Sequence, residues 1–342
     1  MRLVALLFLL WTAACMDDTR VAIATPWTFE HTTALAPPGL GPEERVLVAA
    51  RDAPGRFWTL DQKSGTLVEG PFDTFPIQPA PISLENVVYM VTTVGNIIRV
   101  DLAGQAVGTS SAPWGRTSPI VLASDDTFRL GTTTGHALAL DTETNVLFDV
   151  DLEAPIATAP AVASDETTYY ATDTGRLVGV DPAGSVVLDV SVENPASGPS
   201  VFEDRVAVGG GSTVTAFDRD TGLVIFSRPR GARVVGTRFL SDGTLLAWGE
   251  DGRLELLDTG GQPVFSYDAG PPIYAPAIQA AEGRFGLVDS QGWAHLIRPN
   301  GEALYTLQLA GPPLEQAVEI SEAFALFTID NRIQAVNFDF KP

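Results

Sequence analysis

Ala159-Pro160-Ala161-Val162-Ala163 is a short apolar run, and Thr167 to Thr172 (Thr-Thr-Tyr-Tyr-Ala-Thr) is β-branched and aromatic. Asp173-Thr174-Gly175 then reads as a turn, Arg176-Leu177-Val178-Gly179-Val180 alternates, and Asp181-Pro182-Ala183-Gly184 turns again. Val186 to Ser191 (Val-Val-Leu-Asp-Val-Ser) is a fourth extended run. Four short strands joined by tight turns predict one antiparallel sheet within residues 159–191. No stretch between Pro26 and Pro342 sustains a helical period.

The same grammar recurs along the chain. Glycine followed six residues later by aspartate occurs at Gly55/Asp61, Gly95/Asp101, Gly135/Asp141, Gly175/Asp181 and Gly252/Asp258, and Gly211/Asp218 has one extra residue. Gly292/Arg298 and Asn331/Asn337 are degenerate copies, and the second positions lie 40, 40, 40, 37, 40, 40 and 39 residues apart. Four strands per repeat of this length is the arithmetic of a β-propeller blade. The glycine supplies the positive φ of the turn between second and third strands, and Asn331 tolerates the same geometry. The aspartate ends the third strand, where its carboxylate can accept from turn N–H groups. The carboxylates occupy an equivalent position in their blades and are spread around a ring, which argues against a shared metal site. The last unit holds three strands, 317–320, 323–328 and 332–337, and lacks a fourth. Residues 27–38 read as that fourth strand and its exit loop, by analogy with 304–313, so the chain start closes the ring and removes open sheet edges. The expected fold is all-β, an eight-bladed β-propeller, with seven blades as the alternative should one weak unit not form a blade.

The repeat also resembles a known family. The first-strand wording Pro119-Ile120-Val121, Pro160-Ala161-Val162, Pro199-Ser200-Val201 and Pro276-Ala277-Ile278 carries the resemblance, together with Ala216-Phe217-Asp218-Arg219-Asp220-Thr221-Gly222. These resemble the PQQ-like (quinoprotein-type) propeller repeat over about residues 27–340. The family places a tryptophan four residues after the Thr-Gly; Phe226 stands there, and other copies show Glu69 or Asp149, so docking of a tryptophan between blades is expected to be largely absent. A lipid-anchored propeller of this family resembles the scaffold lipoproteins of the outer-membrane barrel-assembly machinery, which implies a non-catalytic, protein-binding role. The quinone-dependent dehydrogenases share the repeat but use adjacent cysteines, which this chain does not have.

Composition narrows the chemistry. Asp and Glu number 42 against 21 Lys and Arg, a net charge of −21, which disfavours nucleic acid as a partner. Hydrophobic residues make up 45% of the chain, and a folded core follows. The single cysteine, Cys15, excludes intrachain disulfides and cysteine-based metal centres. Two lysines, Lys63 and Lys341, make a Schiff-base enzyme improbable, and His31, His136 and His295 show no metal-ligand spacing. Met1-Arg2 is a short positive region, Leu3 to Trp11 is apolar, and small residues lead to Cys15. The apolar length is too short to span a membrane and reads as a signal peptide of residues 1–14. Its end resembles a bacterial lipoprotein signal, although Thr12 stands where leucine is usual. Cys15 is then the acylated anchor, residues 15–26 a tether and 27–342 the propeller, placed in the envelope with the outer membrane favoured.

Few residues stand out as sites. Gly209-Gly210-Gly211-Ser212 lacks the following lysine and helix of a phosphate loop, and reads as a turn. Arg228-Pro229-Arg230-Gly231-Ala232-Arg233 concentrates three basic residues in the link between two blades. Arg228, Arg230 and Arg233 form a candidate docking patch for an acidic partner or headgroups, unless they pair with neighbouring carboxylates. Trp114, between blades, is a candidate rim residue of the same surface. No catalytic residue, cofactor or metal is expected, and the propeller should be monomeric, with an envelope protein as partner. The alternative is a carbohydrate or small-molecule binder, or an enzyme, that works through the central channel.

Overall fold

The computed structural model describes residues 22–340 except 54, 75, 78–79, 111–114, 315–316, 322–323 and 330. Cys15 and Trp114, and the anchor and rim roles read for them, therefore lie outside the described residues. Eight antiparallel sheets form a ring, an eight-bladed β-propeller. The first blade is Gly39–Gly41, Arg45–Ala49, Gly55–Asp61 and Leu67–Thr74; the second is Ile82–Leu84, Val87–Val91, Ile97–Asp101 and Ala106–Ser110. The third is Val121–Leu122, Phe128–Gly131, His136–Leu140 and Val146–Asp151; the fourth is Ala161–Val162, Thr168–Thr172, Arg176–Val180 and Val186–Ser191. The fifth is Ser200–Phe202, Arg205–Gly210, Thr213–Asp218 and Val224–Pro229; the sixth is Val234–Phe239, Leu245–Gly249, Arg253–Leu257 and Pro263–Asp268. The seventh is Ile278–Gln279, Phe285–Val288, Trp293–Ile297 and Ala303–Gln308.

The eighth blade joins the two ends of the chain. Its own strands are Ala317–Ser321, Phe324–Ile329 and Arg332–Phe340, and Thr28–Glu30 pairs with the last of them, Phe29 opposite Ile333. The chain start closes the ring, as read from sequence. The pairing begins earlier than residue 27, because Ala22–Ala24 also lies on the same strand, Ala22 opposite Phe340. The end of the segment read as a tether is thus part of the sheet. Trp27, between the two short strands, is buried and donates its indole N–H to the Gln62 carbonyl of the first blade at 2.9 Å.

The turns behave as the repeat predicts. Gly95, Gly135, Gly175, Gly211, Gly252 and Gly292 all have positive φ between second and third strands. Asp61, Asp101, Asp141, Asp181, Asp218 and Asp258 each accept from backbone N–H groups of the following turn. Hydrogen bonds from Ser64 to Asp61 and from Thr221 to Asp218 hold these carboxyls below the usual carboxylate range.

No single core fills the ring. Eight separate apolar clusters lie between neighbouring blades, one for each seam, and the cluster of Trp27, Phe29, Trp58, Leu326 and Ile333 seals the eighth blade to the first. Alternate residues of each third strand face the preceding and the following blade, so both faces of every sheet are buried. Stability is therefore distributed over seams, and each seam can differ.

Tryptophan docking between blades is largely absent, as the sequence implies, and the position is filled by other side chains. Phe148, Leu188, Phe226 and Phe265 stand in outer strands, and the third-to-fourth-strand turns of the next blades, at Gly184, Gly222, Gly261 and Gly301, rest on them. A Cβ at Gly261 would lie 2.4 Å from the Phe226 ring, so only glycine admits this approach, and its φ of 78° suits it too. Trp27 plays the same part for the eighth blade, directly beneath Gly65 of the first. In the third blade Thr144, at φ 68°, occupies the glycine position of the turn, so Phe148 and not Asp149 stands at the docking place.

Candidate interaction surface

The third position of each third strand faces the preceding blade and decides how the seam fills. Trp58, Ile98, Leu138 and Val178 fill their seams with apolar bulk; the fifth to eighth blades carry Thr215, Glu255, His295 and Gln334. These polar choices produce three different seams between the fourth and seventh blades.

The seam between fifth and sixth blades absorbs the arginine cluster. Arg230 is 1% exposed at its side chain, pairs with Asp251 at 3.0 Å and Glu255 at 3.6 Å, and donates to the Ala247 and Arg253 carbonyls. Arg228 meets the buried Glu255 at 3.0 Å, and Arg233 meets Glu250 at 3.4 Å. Arg228 and Arg230 are blade-to-blade clamps, and Arg233, 57% exposed, pairs with Glu250 of its own blade, so the three do not form one unpaired positive patch. The physical reason is desolvation: a buried guanidinium must be met by carboxylates and carbonyls.

Between sixth and seventh blades, His295 takes the central place. Its Nδ1 lies 2.8 Å from the Tyr267 hydroxyl and its Nε2 lies 3.2 Å from Asp289, whose other oxygen accepts from the Gln291 and Trp293 N–H groups. Burial lowers the His295 pKa, against the opposing pull of Asp289. The chain Tyr267–His295–Asp289 joins an outer strand to a neighbouring turn and is a structural clamp.

The seam between fourth and fifth blades is packed in part, by Tyr169, Leu177, Val206 and Phe217, and open elsewhere. Thr213 and Thr215 stand where the fourth blade has Arg176 and Val178, and a groove of about 270 Å³ remains. Ser191, Glu193, Thr213, Thr215, Phe217, Val224 and Ser227 line it. Gly210 lets the chain at Glu193 pack closely, since a Cβ there would lie 2.1 Å from the Glu193 carbonyl oxygen. Below the groove Arg219 closes the seam: it bonds Asp165 at 2.6 Å and the Tyr169 hydroxyl at 2.8 Å, and lies 5.4 Å from the Tyr169 ring centre.

The outer rim carries a regular feature that no motif announced. In each of the first seven blades the outer strand has a β-bulge, and the inserted residue is aliphatic: Val68, Val107, Leu147, Val187, Ile225, Val264 and Leu304. Such bulges spoil an open edge for pairing with another chain. The fifth blade has the longest exposed run, Leu223-Val224-Ile225, with Leu223 69% exposed. Nearby turns between first and second strands place acidic residues at positive φ: Glu85, Asp126, Glu166, Glu203 and Glu282. The same face of the disc carries the aspartates that end the third strands, so it is strongly acidic. At the inner edge, Arg238 of the sixth blade reaches Glu319 of the eighth at 2.5 Å, a charged pair on first strands. Among the described residues no group of His, Cys, Asp and Glu is placed to hold a metal ion, and no helix is long and apolar enough to cross a membrane.

Comparison with known proteins supports this architecture. The family model described as outer membrane protein assembly factor BamB matches residues 173–339. Over that segment the chain resembles the PQQ-like β-propeller family of BamB. The crystal structure of BamB from Moraxella catarrhalis is 16% identical, with a TM-score of 0.57, over 94% of this chain and 92% of that one. The propeller of Dos1 is 14% identical at a TM-score of 0.74, over 96% and 98% of the two chains. The computationally designed Ika8 protein is 15% identical at a TM-score of 0.74, over 90% and 97%. At these identities the solved structures establish the fold alone. No curated protein sequence matches the chain. The matched segment of this propeller runs from the fourth-blade turn at Asp173 into the eighth blade, and so contains the groove, the arginine clamps and the Tyr267–His295–Asp289 chain.

Proposed function

We propose that this PQQ-like propeller is a non-catalytic, protein-binding scaffold of the bacterial cell envelope, anchored to a membrane by an acyl chain on Cys15 and acting in outer-membrane protein assembly. The match of residues 173–339 to the assembly-factor model carries the reading. The structure is compatible with it in physical terms: eight separately packed seams make a rigid disc, and a rigid disc presents loops and rim without an ordering cost on binding. Polar residues inside the seams are spent on clamps between blades, which leaves the outer surface for recognition. Cys15 is followed by Asp17 and Asp18, and an acylated cysteine holds the disc at a membrane surface without spanning it. In-cell crosslinking and mass spectrometry on the tagged protein, with Cys15→Ser as control, tests the proposal. A stoichiometric envelope partner that is lost in the Cys15→Ser variant is the expected result. Crosslinking that yields no recurring partner would overturn it.

A further inference from the structure

We infer that the groove between the fourth and fifth blades is the docking site for an extended segment of a partner protein bearing an aliphatic residue followed by a lysine or arginine. The inference rests on the scaffold reading and names the partner chemistry that one surface would take.

The groove has two chemically distinct ends. At one end Val224 is an exposed lip, continuous with Leu223 and Ile225. At the other stands Glu193, which is exposed and pairs with no cation among the described residues. Between them Ser191, Thr213, Thr215 and Ser227 offer hydroxyls, which both donate and accept, over the buried Phe217. From Val224 to Ser227 is three strand residues, about 10 Å, the reach of about three residues of an extended ligand. An aliphatic side chain on Val224 and a cation near Glu193 fit that spacing, with ligand backbone groups satisfied by the hydroxyls.

The site is preformed. Arg219 fixes the fourth blade to the fifth through Asp165 and Tyr169, so the seam cannot close over the gap. The fourth blade shows what a closed version is: Arg176 and Asp189, at the positions equivalent to Thr213 and Ser227, form a two-point ion pair of 3.0 and 2.6 Å. Charge selects the occupant. A body of net charge −21 repels a second copy of itself and an anionic lipid surface, and attracts a basic segment.

The test uses the full-length chain in detergent and a synthetic peptide of alternating leucine and lysine, with alternating serine and lysine as comparison. The leucine peptide should bind at least about tenfold more tightly than the serine peptide. Thr213→Arg with Ser227→Asp, which transplants the closed pair of the fourth blade, should abolish that difference. Glu193→Gln, which leaves packing untouched, should weaken the leucine peptide about fivefold. Equal binding of the two peptides, undiminished binding by the closed variant, or self-association through this seam would overturn the inference. In cells, a photo-crosslinking residue at Thr215 should capture an envelope protein, and the closed variant should lose it. Capture only from a second crosslinker position, at Thr306 on the seventh blade, would overturn the groove and leave the scaffold reading standing. Capture at neither would overturn both.

Discussion

The seam between fourth and fifth blades and the seam between fifth and sixth share one strand-level plan and reach opposite results. Both are made by a third strand facing an outer strand. In one, Thr213 and Thr215 are too small to cross the gap, and a hydroxyl-lined groove remains. In the other, Glu255 crosses it, and Arg228 and Arg230 reach back from the preceding blade. The difference shows that the repeat sets the backbone while a single alternating position sets what lies between blades. A seam closed by ions is also fragile in a particular way, because each partner depends on the other for its burial.

The largest effect should come from breaking the closed seam. Glu255→Ala removes the buried carboxylate shared by Arg228 and Arg230, leaving Arg230 with Asp251 alone, and about 3 kcal/mol of unfolding free energy should be lost in denaturant titration. Pairing Glu255→Met with Arg230→Met should recover most of it, and failure to recover would show that the ions do more than compensate each other. Next comes the glycine that seats each blade on its neighbour. Gly261→Ala combines a left-handed backbone with a Cβ pressed on Phe226, and about 1–3 kcal/mol should be lost, read from the thermal midpoint with ligand-free protein. The His295 clamp gives a pH signature. Its pKa is lowered on folding, so the unfolded chain takes the proton first; its stabilisation is complete above the ordinary value of 6.5 and is lost as the pH falls toward the folded value. His31 is lowered by burial as well and adds to the same slope. His295→Gln should flatten, without removing, the fall of the urea midpoint between neutral and mildly acid pH. A slope identical to that of the parent would refute the role given to His295. Smallest of all, Thr213→Arg in the open seam should change stability by less than about 0.5 kcal/mol, because the added side chain enters space already open to solvent. A large loss there would mean that the two seams are equally intolerant and would blur the contrast.

Much of the fold was legible because it is periodic. Glycine at a positive-φ turn and aspartate at a strand end are local requirements, and six copies among eight units make them audible above variation. Ring closure was legible for a similar reason: a final unit with three strands needs a fourth, and residues 27–38 read like one. Trp27 as the closing wedge was not legible, because its partner Gly65 lies far along the chain and nothing local marks the pair. Phe148, Leu188 and Phe265 escaped as docking residues for the opposite reason: the sequence pattern asked for tryptophan, while the seam asks only for an apolar side chain of suitable size beneath a glycine.

The candidate surface divides in the same way. Arg228, Arg230 and Arg233 looked like a docking patch because sequence shows their sign and spacing but not their partners. Asp251 and Glu255, about one strand pair further on, pair with Arg228 and Arg230, and Glu250 pairs with the exposed Arg233. The open groove was invisible because it consists of side chains that are small at one place where neighbours are large, and only a superposition of blades in space reveals a missing volume. The exposed aliphatic bulges were likewise hidden, since Val186-Val187 reads as ordinary strand.

By itself, then, the sequence determined the all-β class, the blade repeat, the turn chemistry and the closure by the chain start, because these follow from backbone geometry and recur with the repeat, while the ring itself settled eight blades over seven. Tertiary structure alone decided which charges are neutralised, which seam stays open and which apolar residues meet solvent. Those outcomes depend on desolvation and packing between residues from different blades, and local sequence carries no record of who the neighbour will be.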